Sequence, residues 1–130
     1  MADASYPEDL LYHPEHDWAR VQGDQATFGV TWFAQDALGE VVFFEAPEVG
    51  ATLTRGEAYA EVESVKAVSD VYAPMSGEIV EVNPALSQTP EHINSDPYGE
   101  GWMVRVRLSD PAEAEQLLSA ERYSQGLSSK

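Results

Sequence analysis

The chain has 130 residues, and its acidic residues outnumber the basic ones 23 to 7, for a formal charge of −16 at pH 7. That length suits one domain with a buried core, and the charge argues against nucleic acid and anionic membranes as partners. With no cysteine, disulfides, thiolate metal sites, iron–sulfur clusters and a cysteine nucleophile are excluded.

The acidic N-terminal stretch, MADASYPEDLLYHPEHDW, lacks the basic and apolar regions of a signal peptide, and no apolar run approaches transmembrane length. The expectation is a cytoplasmic, monomeric protein. Residues 1–9 read as a loose lead-in. Residues 10–20 carry Tyr12 and Trp18 and predict one edge strand, restricted by Pro14. His13, Glu15, His16 and Asp17 offer metal-ligand chemistry, but so local a cluster is weak ground against ordinary surface side chains. Gly23-Asp24 marks a turn, and residues 26–30 predict a strand.

Thr31 suits an N-cap and Gly39 a C′ residue, so a short helix is expected over residues 32–38. Phe33, Ala34, Ala37 and Leu38 form its apolar face. Residues 40–45 (EVVFFE) are apolar on both faces, as in a strand between packed layers. Turns follow at 47–50 and 54–57. Residues 58–65 alternate, with Ala58, Ala60, Val62 and Ser64 on one side. Strand character resumes over 68–73, a turn falls at 74–77, and residues 78–82 predict a strand with Val80 and Val82 on one face.

Residues 83–101 are the longest stretch without periodicity, and such a loop suits a short helix or a recognition role. Within it, Asp96-Pro97-Tyr98-Gly99 fits a type I turn. Residues 102–108 alternate: Trp102, Val104, Val106 and Leu108 are expected in the core, with Met103, Arg105 and Arg107 outside. Asp110, Pro111 and Glu113 read as N-cap, N1 and N3 of a helix to about residue 120, with Ala114, Leu117 and Leu118 on its apolar face. Residues 124–130 read as a frayed tail. Many short strands between turns, with a helix near each end, predict an all-β-dominated sandwich or small barrel of one domain over residues 1–130.

There is no glycine-rich phosphate loop, HExxH or GxSxG, and carboxylates are too many to pair as acid and base. What stands out is Lys66. It is one of two lysines, the other being Lys130, and the remaining cations are all arginine. Arginine stays protonated, whereas the lysine amine can be deprotonated and acylated. Composition leaves two readings open: an amine needed for covalent chemistry, or a solvated turn lysine.

Glu63-Ser64-Val65-Lys66-Ala67-Val68-Ser69-Asp70, followed by Tyr72-Ala73-Pro74 and Gly77, closely resembles the lipoylation site of the glycine cleavage H-protein family. The likeness extends to Phe28-Gly29-Val30-Thr31, to Ala34-Gln35-Asp36-Ala37-Leu38-Gly39-Glu40-Val41-Val42 and to Pro47-Glu48-Val49-Gly50. It continues in Gly77-Glu78-Ile79-Val80-Glu81-Val82-Asn83 and Asp96-Pro97-Tyr98-Gly99-Glu100-Gly101-Trp102, so it covers about residues 11–123. Biotin carriers share the fold but usually flank the lysine with methionine, which Val65 and Ala67 do not match.

The resemblance implies a lipoyl-type barrel–sandwich hybrid of two antiparallel sheets, with Lys66 at a hairpin tip. The tip has neither Gly nor Pro, and a type I turn with Ser64 at its first position would tolerate it. The resemblance further implies a carrier with no turnover of its own, bearing lipoate as an amide on Lys66. A pyridoxal-phosphate glycine decarboxylase (P protein) would load it with an aminomethyl group. A tetrahydrofolate-dependent aminomethyltransferase (T protein) would unload it, and a flavin (FAD) dihydrolipoyl dehydrogenase (L protein) would reoxidise it. A lipoate ligase, or an octanoyltransferase with lipoyl synthase, would install the group. Glu63 and Gly77 match the glutamate three residues before the lysine and the glycine eleven after it that matter to the modifying enzyme in related lipoyl domains.

The chain departs from the family pattern at three places. His16-Asp17-Trp18 stands for His-Glu-Trp, Thr31-Trp32-Phe33 for Thr-Asp-Tyr or Thr-Asp-His, and Glu15 for a frequent small Ser. In the family this region lines the cleft where the loaded arm docks. The expected docking residues are therefore Asp17, Phe33 and Asp70, with the two carboxylates holding the arm's ammonium. The Trp32-Phe33 departure also motivates an alternative, an H-like lipoyl carrier serving lipoyl relay or sulfur oxidation.

Overall fold

Apolar alternation between turn signals folds into nine strands, described over residues 6–128 of a computed structural model. One antiparallel sheet contains β1 (Leu11–His13), β2 (Asp17–Gln22), β3 (Gln25–Val30), β9 (Val104–Leu108), β8 (Gly77–Val82) and β5 (Thr52–Leu53), in that spatial order. The second contains β4 (Val41–Glu45), β6 (Ala58–Ser64) and β7 (Val68–Tyr72), with β6 in the middle. Three short helices complete the chain: α1 (Trp32–Leu38), α2 (His92–Ser95) and α3 (Ala120–Ser128).

The sheets pack as a sandwich because each presents an apolar face. Phe28, Ile79, Val104 and Val106 from the larger sheet share one core with Val41, Phe44, Val62 and Val71 from the smaller. Fully burying a side chain of this size stabilises by roughly 1.5–3 kcal/mol, so these contacts dominate the favourable side. A second cluster lies at the other surface of β1 and β2, where Tyr6, Leu10, Tyr12, Trp18, Ala120 and Tyr123 pack together. It ties α3 to the N-terminal hairpin.

Several elements differ from the sequence expectation, each for a local reason. Residues 10–20 are two strands, because a turn at Pro14 reverses the chain: Leu11 pairs with Ala19 and His13 with Asp17. Tyr6 is buried, so the lead-in is anchored at least from that residue; residues 1–5 lie outside those described. Strand β4 is not enclosed on both faces. Val41 and Phe44 are buried, while Val42 and Phe43 are about half exposed. Register shifts between Ile79 and Glu81 leave Ile79 as the buried residue of β8, with Val80 and Val82 only half-buried. Ala58 is exposed, beside a similar shift in β6.

Strand β9 starts at Val104, and its alternation holds: Val104, Val106 and Leu108 are buried, Arg105 and Arg107 exposed. Met103, expected outside, is fully buried, and Trp102 is half-buried with the Arg105 guanidinium 4.4 Å over its ring. Residues 110–120 do not form one helix. Pro111–Gln116 is a 3-10 turn capped by Asp110, whose Oδ1 accepts from Ala112 N–H at 3.2 Å. Glu113 does not close a capping box; its carboxylate accepts from Ser76 N–H at 2.7 Å and Ser76 Oγ at 3.0 Å. Leu118 then bridges to Tyr12, and α3 runs to Ser128, through the stretch expected to fray. Residues 129–130 are outside the described range. The loop at 83–101 carries α2 and a 3-10 turn at Pro84–Ser87, and Gly99 N–H closes the turn at Asp96 with a 3.1 Å bond.

Gly77, at the start of β8, packs against backbone. A Cβ placed there would collide with the Arg107 carbonyl and the Val106 side chain. Neither is a flexible chain end, so Gly77→Ala is expected to destabilise the fold by about 1–3 kcal/mol. Urea unfolding measures this, and a change within about 0.5 kcal/mol, the range of ordinary surface substitutions, would contradict the packing.

Candidate functional site

The β6–β7 hairpin projects Lys66. Along the hairpin Val62 pairs with Ser69 and Glu63 with Val68, and the strands end at Ser64 and resume at Val68. Ser64 replaces the backbone bond of an ordinary type I turn with its side chain. Its N–H donates to the Ala67 carbonyl at 2.8 Å, and its Oγ accepts from Ala67 N–H at 3.1 Å and Lys66 N–H at 3.3 Å. A hydroxyl therefore does what Gly or Pro would do in a commoner turn. Val65 N–H adds a bond to the Glu40 carbonyl at 3.0 Å, tying the tip to the start of β4.

Lys66 is exposed and makes no ion pair among the described residues. Its stem passes over Gly39, the residue after α1, whose φ of 78° lies in the left-handed region. A Cβ at Gly39 would stand 3.4 Å from Lys66 Cε. That is ordinary contact distance, so the positive φ that ends the helix, and not space for the lysine, is what favours glycine there. Asn94, in the aperiodic loop, braces the same corner. Its Oδ1 accepts from Val41 N–H at 2.8 Å, and its Nδ2 donates to the Gly39 carbonyl at 2.8 Å and to Gln35 Oε1 at 3.1 Å.

Beside the hairpin lies a cleft of about 320 Å³. Helix α1 forms one wall through Phe33, Ala34, Ala37 and Leu38, and residues 67–71 form the other. Its acidic groups are Glu15, Asp17 and Asp70. Thus the three expected docking residues, Asp17, Phe33 and Asp70, border one cavity next to Lys66. The cavity is built by four segments distant in sequence.

The carboxylates are not equivalent. Asp70 is exposed, whereas Asp17 is only 1 % exposed and its Oδ2 has no hydrogen-bond partner. Burial pushes the Asp17 carboxyl well above the ordinary carboxylate range, and nearby Glu15 pushes it further; a hydrogen bond from the Tyr72 backbone opposes both. Desolvation disfavours a lone buried charge. The sequence reading gave Asp17 a standing negative charge. Burial without a partner works against that charge, and a cation beside Oδ2 would favour it.

His16 sets the entry to β2. Its φ of 75° is the one positive value at a non-glycine residue among those described. Its ring lies 4.5 Å from that of Phe33, and its carbonyl accepts from Thr31 N–H at 3.0 Å. Thr31 is fully buried and caps α1, with Oγ1 accepting from Ala34 N–H at 3.3 Å.

The other expected site residues lie elsewhere. Glu63 is half-buried on β6, between Phe43 on β4 and Val68 on β7, next to the tip. Gly77 comes only after β7 has run its length away from the tip, and the packing against Arg107 is enough by itself to require glycine. Lys130 is outside the described residues. No group of three or more His, Cys, Asp or Glu side chains among the described residues could hold a metal ion. Sequence reasoning missed Asn94, the Ser64 side chain and the burial of Asp17; only the last had a signal, in the aromatics and alternation around it.

The raised Asp17 value carries a stability consequence. A carboxyl that binds its proton more tightly when folded contributes stability below the usual carboxylate range, and that contribution is lost as pH rises toward the raised value. The wild type should therefore lose stability relative to Asp17→Asn as pH is raised from about 4 to about 8. Urea unfolding at several pH values measures the difference, and a pH-independent gap would show that Asp17 titrates as it does in the unfolded chain.

Comparison with known proteins covers nearly all of this architecture. A family described as glycine cleavage H-protein matches residues 10–130. The chain is similar to the glycine cleavage system H protein of Rubrobacter xylanophilus, 54 % identical over 124 residues, covering 95 % of this chain and 96 % of the relative. It is also similar to that of Symbiobacterium thermophilum, 56 % identical over 120 residues, with coverage of 92 % and 94 %. Among solved structures, a glycine cleavage system H protein from Mycobacterium marinum superposes with a TM-score of 0.86 at 42 % identity, covering 94 % of this chain and 98 % of that one. The two-sheet sandwich, the Lys66 hairpin and these matches agree: the chain belongs to the glycine cleavage H-protein family.

Proposed function

We propose that this protein is the lipoyl carrier of a glycine cleavage system and that Lys66 bears the lipoyl group. The observation that carries the proposal is the placement of an exposed lysine amine at a hairpin tip, beside a cleft that ends in a buried carboxyl. The residues suit the group. The amine is accessible to a modifying enzyme, the cleft has room for the end of a flexible arm, and the Asp17 Oδ2 without a partner is an acceptor waiting for a donor. Bound as an amide, lipoate supplies a dithiolane that accepts a one-carbon amine and is later restored by oxidation. The redox sulfur belongs to the cofactor, so a chain without cysteine is sufficient.

The chain's own residues hold and shelter. Ser64 fixes the tip, Gly39 ends α1 beside the lysine stem, and Glu63 stands where a modifying enzyme would read the hairpin. Gly77 serves that enzyme by holding β8 in place. Phe33 and the helix wall exclude water, which strengthens a paired charge. Asp17 pairs as the carboxylate with an ammonium at the inner end, any proton it carried passing to solvent or to the amine as that enters, while Asp70 steers the cation from the exposed mouth. Its partners are the glycine decarboxylase, aminomethyltransferase and dihydrolipoyl dehydrogenase of the system. Pyridoxal phosphate, tetrahydrofolate and FAD belong to those enzymes. The protein acts as a monomer of one domain in the cytoplasm, without turnover of its own. A carrier for lipoyl relay or sulfur oxidation is the second reading, favoured by Phe33 packed on His16 where the family has a polar residue. Reconstitution with the three glycine cleavage partners separates the two.

Peptide mass mapping after expression in a lipoylation-competent host should find lipoyl on Lys66 and not on Lys130. Loss of one positive charge takes the formal −16 to −17. Lys66→Arg should keep the fold and abolish shuttling, since arginine keeps the charge but forms no lipoyl amide. Full glycine cleavage by that variant would refute the carrier mechanism.

The two carboxylates should differ in effect. An exposed pair is worth only about 0–1 kcal/mol and is screened by salt. Asp70→Asn should therefore hasten spontaneous loss of the bound amine slightly, with the difference vanishing in high salt. Asp17→Asn should hasten it more, and salt should change that effect little. Mass spectrometry of the loaded protein without partners follows the decay. Equal wild-type rates in both variants would remove the carboxylates from any guarding role.

A further inference from the structure

We infer that Tyr123, on the C-terminal helix, is a positioning residue for the cleft. It acts through one hydroxyl that joins His16 to Thr31. The inference rests on the carrier reading and adds a residue far from the lysine motif.

Tyr123 is almost fully buried, and its ring is stacked on Tyr12 with centroids 4.9 Å apart. Its Oη lies 2.7 Å from His16 Nδ1 and 2.8 Å from Thr31 Oγ1. His16 lines the cleft, and Thr31 stands beside it between the lining residues Val30 and Phe33. His16 precedes Asp17 and holds the left-handed backbone that turns the chain into β2. Such a conformation is uncommon outside glycine and is kept only where the surroundings enforce it. Thr31 caps α1, the helix whose first turn carries Phe33. The Thr31 N–H to His16 carbonyl bond closes the ring of contacts. A tyrosine needed only for packing would not require a hydroxyl at that spot.

The hydroxyl is chemically suited to the link. It can give one hydrogen bond and take another, so it connects an imidazole nitrogen and a threonine oxygen in either direction. Burial raises the Tyr123 phenol well above its ordinary range, and the Thr31 hydrogen bond only partly opposes this. The phenol therefore remains a neutral donor. With the link in place, Asp17 and Phe33 face the same cavity; without it, the His16 turn and the start of α1 are joined only by the Thr31 N–H bond and the Asp17–Val30 pairing, and the side chains of His16 and Thr31 are no longer held together.

The test is Tyr123→Phe, which keeps the stacked ring and removes only the oxygen. In the unmodified protein, 15N NMR of the His16 imidazole should show a displaced Nδ1 resonance. In the lipoylated, loaded protein, spontaneous loss of the bound amine should rise about fivefold, the equivalent of one net hydrogen bond. The rate of lipoylation at Lys66 should stay unchanged, because the hairpin does not touch Tyr123. If Tyr123 works through Asp17, the double variant with Asp17→Asn should decay no faster than Asp17→Asn alone. An unmoved His16 resonance, an unchanged decay, or additive rates would each overturn the inference. A wild type that takes no lipoyl would instead overturn the carrier reading, with the NMR result still deciding this one. Should Tyr123→Phe fail to fold, His16→Asn runs the same cycle, since Asn tolerates a left-handed backbone and lacks the ring that Tyr123 bonds. Decay at the wild-type rate in that variant would also refute the link.

Discussion

The β6–β7 hairpin is buried on one face and bare at its end, and the arrangement of the whole site depends on that contrast. Val62 and Val71 are sealed into the sandwich at 0 % and 2 % exposure, while Val65 and Val68 at the tip are 67 % and 62 % exposed. The inner face cannot slip by one residue, because a slip would turn every apolar side chain outward. That constraint fixes where Lys66 emerges. The tip can then be held by few local bonds, those of Ser64 and the Glu40 carbonyl, without losing its direction. A rigid base with an accessible tip is what an acylating enzyme needs, and it costs little in core packing.

Asp17 works against the same core. Enclosing a carboxyl with an unsatisfied oxygen is unfavourable, and the protein lowers the cost by favouring the neutral acid. Glu15 adds to this, so the sequence places a second acid where it makes ionisation harder. The result is a group with little attraction for water or for a neutral arm. An ammonium changes the balance, since a paired charge in a poorly hydrated cavity interacts more strongly than at the surface. On the carrier proposal, selectivity for the loaded arm would follow from burial, with Asp70 contributing attraction at longer range.

Much of the fold was legible in the residues themselves. Thr31 and Gly39 bounded α1 correctly because capping is local chemistry, and Val104, Val106 and Leu108 revealed β9 by period. The failures came where tertiary context overrides a local pattern. β9 starts at Val104, two residues later than the alternation suggested, so Met103 lies outside the strand's period and is buried. Glu113 left its capping box for Ser76, a partner 37 residues away. The 10–20 segment read as one strand because a turn at Pro14, followed by a left-handed His16, has no signature that distinguishes it from an edge strand containing proline. At the site, resemblance brought Asp17, Phe33 and Asp70 into view, and no local pattern would have joined them. The upward push on the Asp17 carboxyl was not legible, because it depends on burial in the folded chain.

The Trp32-Phe33 departure can now be weighed physically. Trp32 is exposed, its backbone N–H donates to Tyr98 Oη at 2.8 Å, and it is not among the residues lining the cleft. Phe33 is the residue that matters, for it lines the cleft and packs on His16. A polar residue there would offer the ammonium another partner but would also admit water, and water screens the very charge that Asp17 presents. Phenylalanine gives up the partner and adds apolar surface to the cleft wall. The shorter acid and the larger ring therefore act in one direction: fewer contacts with the cargo, each made in a less screened environment. By that reasoning the departures retune an ammonium-holding cleft and do not by themselves indicate its loss.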